Sequence, residues 1–112
     1  MIYIEGGSKA QQDLSRNLYN FCSNELSIKK KVDIDLRIVS LEKSQAWTDH
    51  EGDGKFYIDI ERSLNTEQFI TAFCHEMIHV IQYLRDREVS EKEAYQLEKI
   101  LYDRYKQTQK NG

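Results

Sequence analysis

Apolar residues first recur along the chain at steps of three and four, at Ala10, Leu14, Leu18, Phe21, Cys22 and Leu26, the spacing that lines one face of an α-helix. Ser8 and Gln11 stand three apart at the start of this run, the form of a capping box, in which each side chain satisfies a free backbone N–H at a helix start. Together they predict an amphipathic helix over 9–26. From Val32 the period falls to two, with Val32, Ile34, Leu36 and Ile38 alternating with Asp33, Asp35, Arg37 and Val39. That alternation predicts a strand with one buried face. Phe56, Ile58 and Ile60 against Tyr57, Asp59 and Glu61 predict another. Between them Ala46, Trp47 and Thr48 suit a short strand, and Glu51-Gly52-Asp53-Gly54 supplies the residues of a hairpin turn. The expectation is an antiparallel meander of about three strands.

The helical period then returns. Asn65 or Thr66 offers an N-cap, and Phe69, Ile70, Phe73, Met77, Ile78, Val80, Ile81 and Leu84 form a broad apolar face. Ser90 opens a last helix in which Ala94, Leu97, Ile100 and Leu101 are expected to face inward, while Lys106 to Gly112 has no apolar pattern and is expected to fray. No proline, repeat or linker divides the chain, so its 112 residues form one domain. The order helix, strands, helix, helix defines an α+β class with the helices packed on one face of a small antiparallel sheet.

Composition narrows the function classes. Hydrophobic residues at 39% and charged residues at 31% suit a folded globular domain. A formal charge of −3 and a pI of about 5.6 give no general attraction to nucleic acid or anionic lipid, and Lys29, Lys30 and Lys31 read as a solvated connection. Cys22 and Cys74 are far apart in sequence, outside any CxxC pair, which favours free thiols and a reducing compartment. The start of the chain lacks the basic and apolar regions of a signal peptide, and no run approaches a membrane span. A cytoplasmic protein is expected.

The chemistry concentrates at His75-Glu76-Met77-Ile78-His79, which uses two of the three histidines. On a helix these imidazoles lie about 40° apart around the axis and roughly 6 Å apart along it, so both reach one tetrahedral zinc ion. Glu76 points about 100° away from His75, poorly placed to ligate but suited to act as general base toward a water at the metal's open position. Zinc lowers the ionisation of such a water to near neutral pH and polarises the carbonyl under attack. Chance produces this pattern in a chain of this composition only on the order of one time in a hundred, and here it falls inside a predicted helix.

Cys74-His75-Glu76-Met77-Ile78-His79-Val80-Ile81-Gln82-Tyr83, followed by Glu91-Lys92-Glu93-Ala94-Tyr95, resembles the small gluzincin-type zinc metallopeptidases, including short phage-encoded members. The resemblance covers residues 70–102. It implies a minimal zincin-like fold, with an edge strand beside the active-site helix for extended peptide, and a glutamate before a small residue on the next helix as third ligand, which maps onto Glu93 before Ala94. Ser90 to Glu93 is also a capping box, which offers Glu93 a second use. Glu98 is the fallback ligand, followed by Asp86 and Glu88. For Glu93 to return to His79, the active-site helix must stop near Leu84, with Arg85 to Val89 running back extended.

Other polar residues compete for roles. Asp49, Glu51 and Asp53 imitate the start of an EF-hand loop, but the position that requires a bidentate Glu is Ile60. His50 is expected to be an exposed loop residue, Cys74 a small core residue, and Gln82 a residue at the polar edge of the site or on the surface. Tyr95 and Tyr102, with Tyr83, are candidate donors to a developing oxyanion. The leading expectation is a zinc-dependent peptidase acting on a peptide or protein substrate that pairs with Tyr57 to Glu61 as the sheet edge. A zinc-holding binding or regulatory module without turnover is the alternative, and a metal-free domain the third.

Overall fold

A computed structural model describes residues 1–111. The chain runs β1 (Ile2–Gly6), α1 (Lys9–Glu25), β2 (Asp33–Val39), β3 (Ala46–Gly52), β4 (Lys55–Glu61), α2 (Thr66–Leu84) and α3 (Glu91–Asn111). The class is α+β as expected, but the sheet has four strands in the order β1-β2-β4-β3 and is mixed. β1 and β2 are parallel, β2 and β4 are parallel, and only β3 and β4 form the expected antiparallel hairpin. Alternation reports which face a strand buries and is silent about direction. Parallel neighbours need a long crossover, and α1 supplies the one between β1 and β2. The strand at Ile2–Gly6 escaped detection because Ile2 and Ile4 alternate with polar neighbours over only five residues.

Ile34, Leu36 and Ile38 of β2 stand beside Phe56, Ile58 and Ile60 of β4 in register, all six buried. Against this surface pack Leu18 and Cys22 of α1 and Phe69, Phe73, Met77 and Ile78 of α2. Burying such side chains removes apolar area from water at roughly 25 cal/mol per Å², which holds α2 in one rotation. β4 is therefore interior, and Tyr57 to Glu61 is not the sheet edge that was expected. The edges are β1 and β3, and the β3 run Thr48-Asp49-His50-Glu51 has the polar, charged character that edge strands carry.

Both capping boxes form, Ser8 with Gln11 and Asn65 with Gln68. On α3 the buried positions are Ala94, Glu98, Leu101 and Tyr105, with Leu97 half-buried, whereas Ile100 is exposed. The stripe thus runs one step round from the expected one and admits a carboxylate at 98. Tyr105 meets Phe21 edge to face with centroids 5.2 Å apart, and the helix continues through Asn111 where fraying was expected; Gly112 lies outside the described residues. Cys22 and Cys74 are free and buried, their sulfurs 3.8 Å apart between α1 and α2. No helix among the described residues is long and apolar enough to cross a membrane.

Candidate metal centre

α2 brings His75, Glu76 and His79 to the side of the helix that meets β3 and the start of α3. It ends at Leu84, as expected. The stop is a Schellman turn: Asp86 N–H donates to the Tyr83 carbonyl at 3.2 Å and Arg87 N–H to the Gln82 carbonyl at 2.9 Å. Asp86 takes the left-handed conformation this turn needs, at φ 51°. The return is thus a tight reversal at Arg85 and Asp86 rather than extended from Arg85 onward. Ser90 then caps α3, its hydroxyl accepting from Glu93 N–H at 3.1 Å.

The turn aims Glu91, not Glu93, at the histidines. Glu91 Oε1 lies 2.6 Å from His79 Nε2, and its Oε2 lies 3.2 Å from His75 Nε2. The two Nε2 atoms are 3.2 Å apart. His75, His79 and Glu91 each offer one ligand atom within 4.8 Å of the others, a group that could hold a metal ion. Glu93 faces elsewhere. Its carboxylate accepts from Gln82 Nε2 at 2.9 Å and pairs with Arg87; the Gln82 amide and the Arg87 guanidinium hold its pKa below the ordinary value. Positions 91 and 93 differ by about 200° around a helix, so one turn cannot present both to the same point.

The outer nitrogens of both rings are engaged as well. His75 Nδ1 lies 3.2 Å from Glu98 Oε1, and His79 Nδ1 lies 2.9 Å from Gln82 Oε1. Carboxylate oxygens and amide carbonyls accept, so Glu98 and Gln82 favour hydrogen on the outer Nδ1 atoms of His75 and His79. The two Nε2 atoms then face each other and the Glu91 carboxylate. Three electron-rich groups at these distances repel unless a cation or an added proton lies among them. The donor set of two imidazoles and a carboxylate, with outer partners fixing the rings, suits a divalent metal with an open position.

Glu76 is buried at 5% exposure and accepts a 2.7 Å hydrogen bond from the Thr48 hydroxyl on β3. Desolvation pushes its carboxyl pKa upward, while the Thr48 bond and the two imidazoles pull it back. It borders a cleft of about 480 Å³ between β3, α2 and the start of α3, lined also by Trp47, Tyr83, Val89 and Tyr95. The Tyr95 ring is 4.9 Å from that of His75, whereas Tyr102 lies outside this lining and packs against the core. His50 is half-buried, stacked on Phe56 at 4.4 Å, and takes no part in the cluster. Asp86 and Glu88 also stay out of it. Gln82, expected near the polar edge or on the surface, is fully buried and central to the ring contacts. Its sequence signal was a polar residue three positions after His79, on the helix face that carries the two histidines. Compared with known proteins, the chain matches no family model, no curated protein and no solved structure.

Proposed function

We propose that this domain is a minimal zinc-dependent peptidase of the gluzincin type, with His75, His79 and Glu91 as metal ligands and Glu76 as general base. The observation that carries the proposal is the convergence of two imidazole Nε2 atoms and the Glu91 carboxylate beside a buried glutamate. Zinc, when bound there, would supply Lewis acidity to a water and to the carbonyl under attack. Glu76 takes a proton from the attacking water and delivers it to the amide nitrogen as the C–N bond breaks. Thr48 holds one Glu76 oxygen, which leaves the other free for that exchange. Tyr95, from its place beside His75, is the donor assigned to the developing oxyanion.

β3 is the sheet edge on the cleft, and its unpaired backbone groups suit an extended peptide added as a further strand. A chain this short has few residues to build specificity pockets, so backbone pairing would contribute more to binding than deep side-chain pockets. The test is zinc content and cleavage of a denatured protein substrate in the wild type, Glu76→Gln and His79→Ala. Glu76→Gln is expected to keep zinc and lose cleavage by at least about a hundredfold, and His79→Ala to lose both. Zinc without cleavage in the wild type would favour a binding or regulatory module, and a wild type that takes up no zinc would remove both readings.

A further inference from the structure

Gln82 makes more specific contacts than any simple helix-packing role requires. Its Oε1 accepts from His79 Nδ1 at 2.9 Å and from Ser90 N–H at 3.2 Å, while its Nε2 donates to the Ser90 carbonyl at 3.2 Å and to Glu93 Oε1 at 2.9 Å. The amide therefore spans the gap between α2 and the first residue before α3. On one side it holds a metal-ligand candidate, His79. On the other it holds Ser90, whose next residue is the third, Glu91.

The amide cannot be reversed. Turning it over would set its carbonyl against the Ser90 carbonyl and the Glu93 carboxylate, both acceptors, and its NH₂ against the Ser90 N–H, a donor. Each mismatch would leave a buried polar group unpaired. Polarity is thus imposed from α3: acceptors at Ser90 and Glu93 fix the NH₂ end, the carbonyl end faces His79, and His79 must carry hydrogen on Nδ1. Its Nε2 is left to face His75 and Glu91.

We propose that Gln82 is the positioning residue of this centre, a relay that fixes the Nδ1–H form of His79 and at the same time anchors the turn that delivers Glu91. Glu93, which the resemblance marked as a ligand, then acts one layer out, orienting the Gln82 amide. Its carboxylate is itself held by Arg87. The metal part of this proposal rests on the zinc reading above, but the protonation pattern of His79 does not. Loss of an outer partner of this kind typically weakens metal binding by about tenfold to a hundredfold.

The experiment uses the full chain as wild type, Gln82→Met and Glu93→Ala. Nitrogen-15 correlation spectra of the histidine side chains, taken without metal and with zinc, read which ring nitrogen carries hydrogen. Competition with a chelator reads zinc affinity, the visible spectrum of the cobalt(II)-substituted protein reads the ligand field, and circular dichroism checks the fold. The expected result is His79 with hydrogen on Nδ1 in the wild type and a mixed population in Gln82→Met. Zinc affinity falls about tenfold to a hundredfold in Gln82→Met and less in Glu93→Ala, with a changed cobalt spectrum in Gln82→Met. Hydrogen on Nε2 alone in the wild type, or a folded Gln82→Met with unaltered tautomer and affinity, would overturn the relay. If Gln82→Met does not fold, the wild-type tautomer and the Glu93→Ala affinity decide the matter. A wild type with the expected tautomer but no zinc uptake would uphold the His79 relay and sink the zinc reading instead.

Discussion

Desolvation disfavours the buried Glu76 carboxylate where it stands beside the two imidazoles. Carboxylates elsewhere in the chain do the opposite work. Glu61 accepts from Leu41 N–H at 2.6 Å and from Ser63 N–H at 2.8 Å, and these bonds, Leu41 first, lower its pKa from the ordinary 4.5. A lowered folded-state value contributes stability that is present above the unfolded value and lost as pH falls through the folded one. Glu61→Gln is therefore expected to be less stable than the wild type at neutral pH, with the gap closing as pH drops below about 4.5. Urea unfolding of both proteins at neutral and acid pH measures this; a gap that persists unchanged in acid would contradict it. At this scale the sequence was informative where spacing along one helix decides the outcome. His75, Glu76 and His79 needed only the helical period, but the choice among Glu91, Glu93 and Glu98 depends on how a turn rotates α3. No local pattern contains that angle.

The turn between α2 and α3 is where an element boundary sets the chemistry. Leu84 as the helix end could be argued from reach alone, since a longer helix would carry the chain past His79 with too few residues to return. The left-handed turn at Asp86 could not, because the usual marker of such a turn is glycine. Asp is among the few other residues that tolerate this conformation. Asp86→Val is expected to cost about 1–2 kcal/mol in unfolding free energy, and also to weaken metal binding by disturbing where Ser90 and Glu91 fall. Asp86→Gly is expected to do neither. Urea unfolding with parallel zinc titration checks both variants, and an Asp86→Val protein as stable as the wild type would count against the role given to this turn.

Across the whole molecule, alternation and helical period located both long core strands and all three helices, because each buries one face against a common interior. The short strand expected at 46–48 instead runs on through Gly52 as β3, taking in His50 and Glu51, which were expected in the turn. The sheet order was not accessible in the same way. β1 adds its strand beside β2, β3 folds outside β4, and so the edge nearest α2 is β3 rather than β4. That placement puts Thr48 on Glu76 and leaves the cleft open along the outer edge of β3. The inward position of Glu98 on α3 belongs to the same assembly, since its carboxylate reaches His75 only when α3 crosses α2 at this point. The candidate ligand set comes from two of these elements, His75 and His79 from α2 and Glu91 from α3. The most direct measurement is zinc stoichiometry and affinity, by chelator competition, in the wild type, Glu91→Ala and Glu93→Ala. One zinc per chain is predicted, with a much larger loss of affinity in Glu91→Ala than in Glu93→Ala. Full affinity in Glu91→Ala with loss in Glu93→Ala, or no zinc in the wild type, would contradict it.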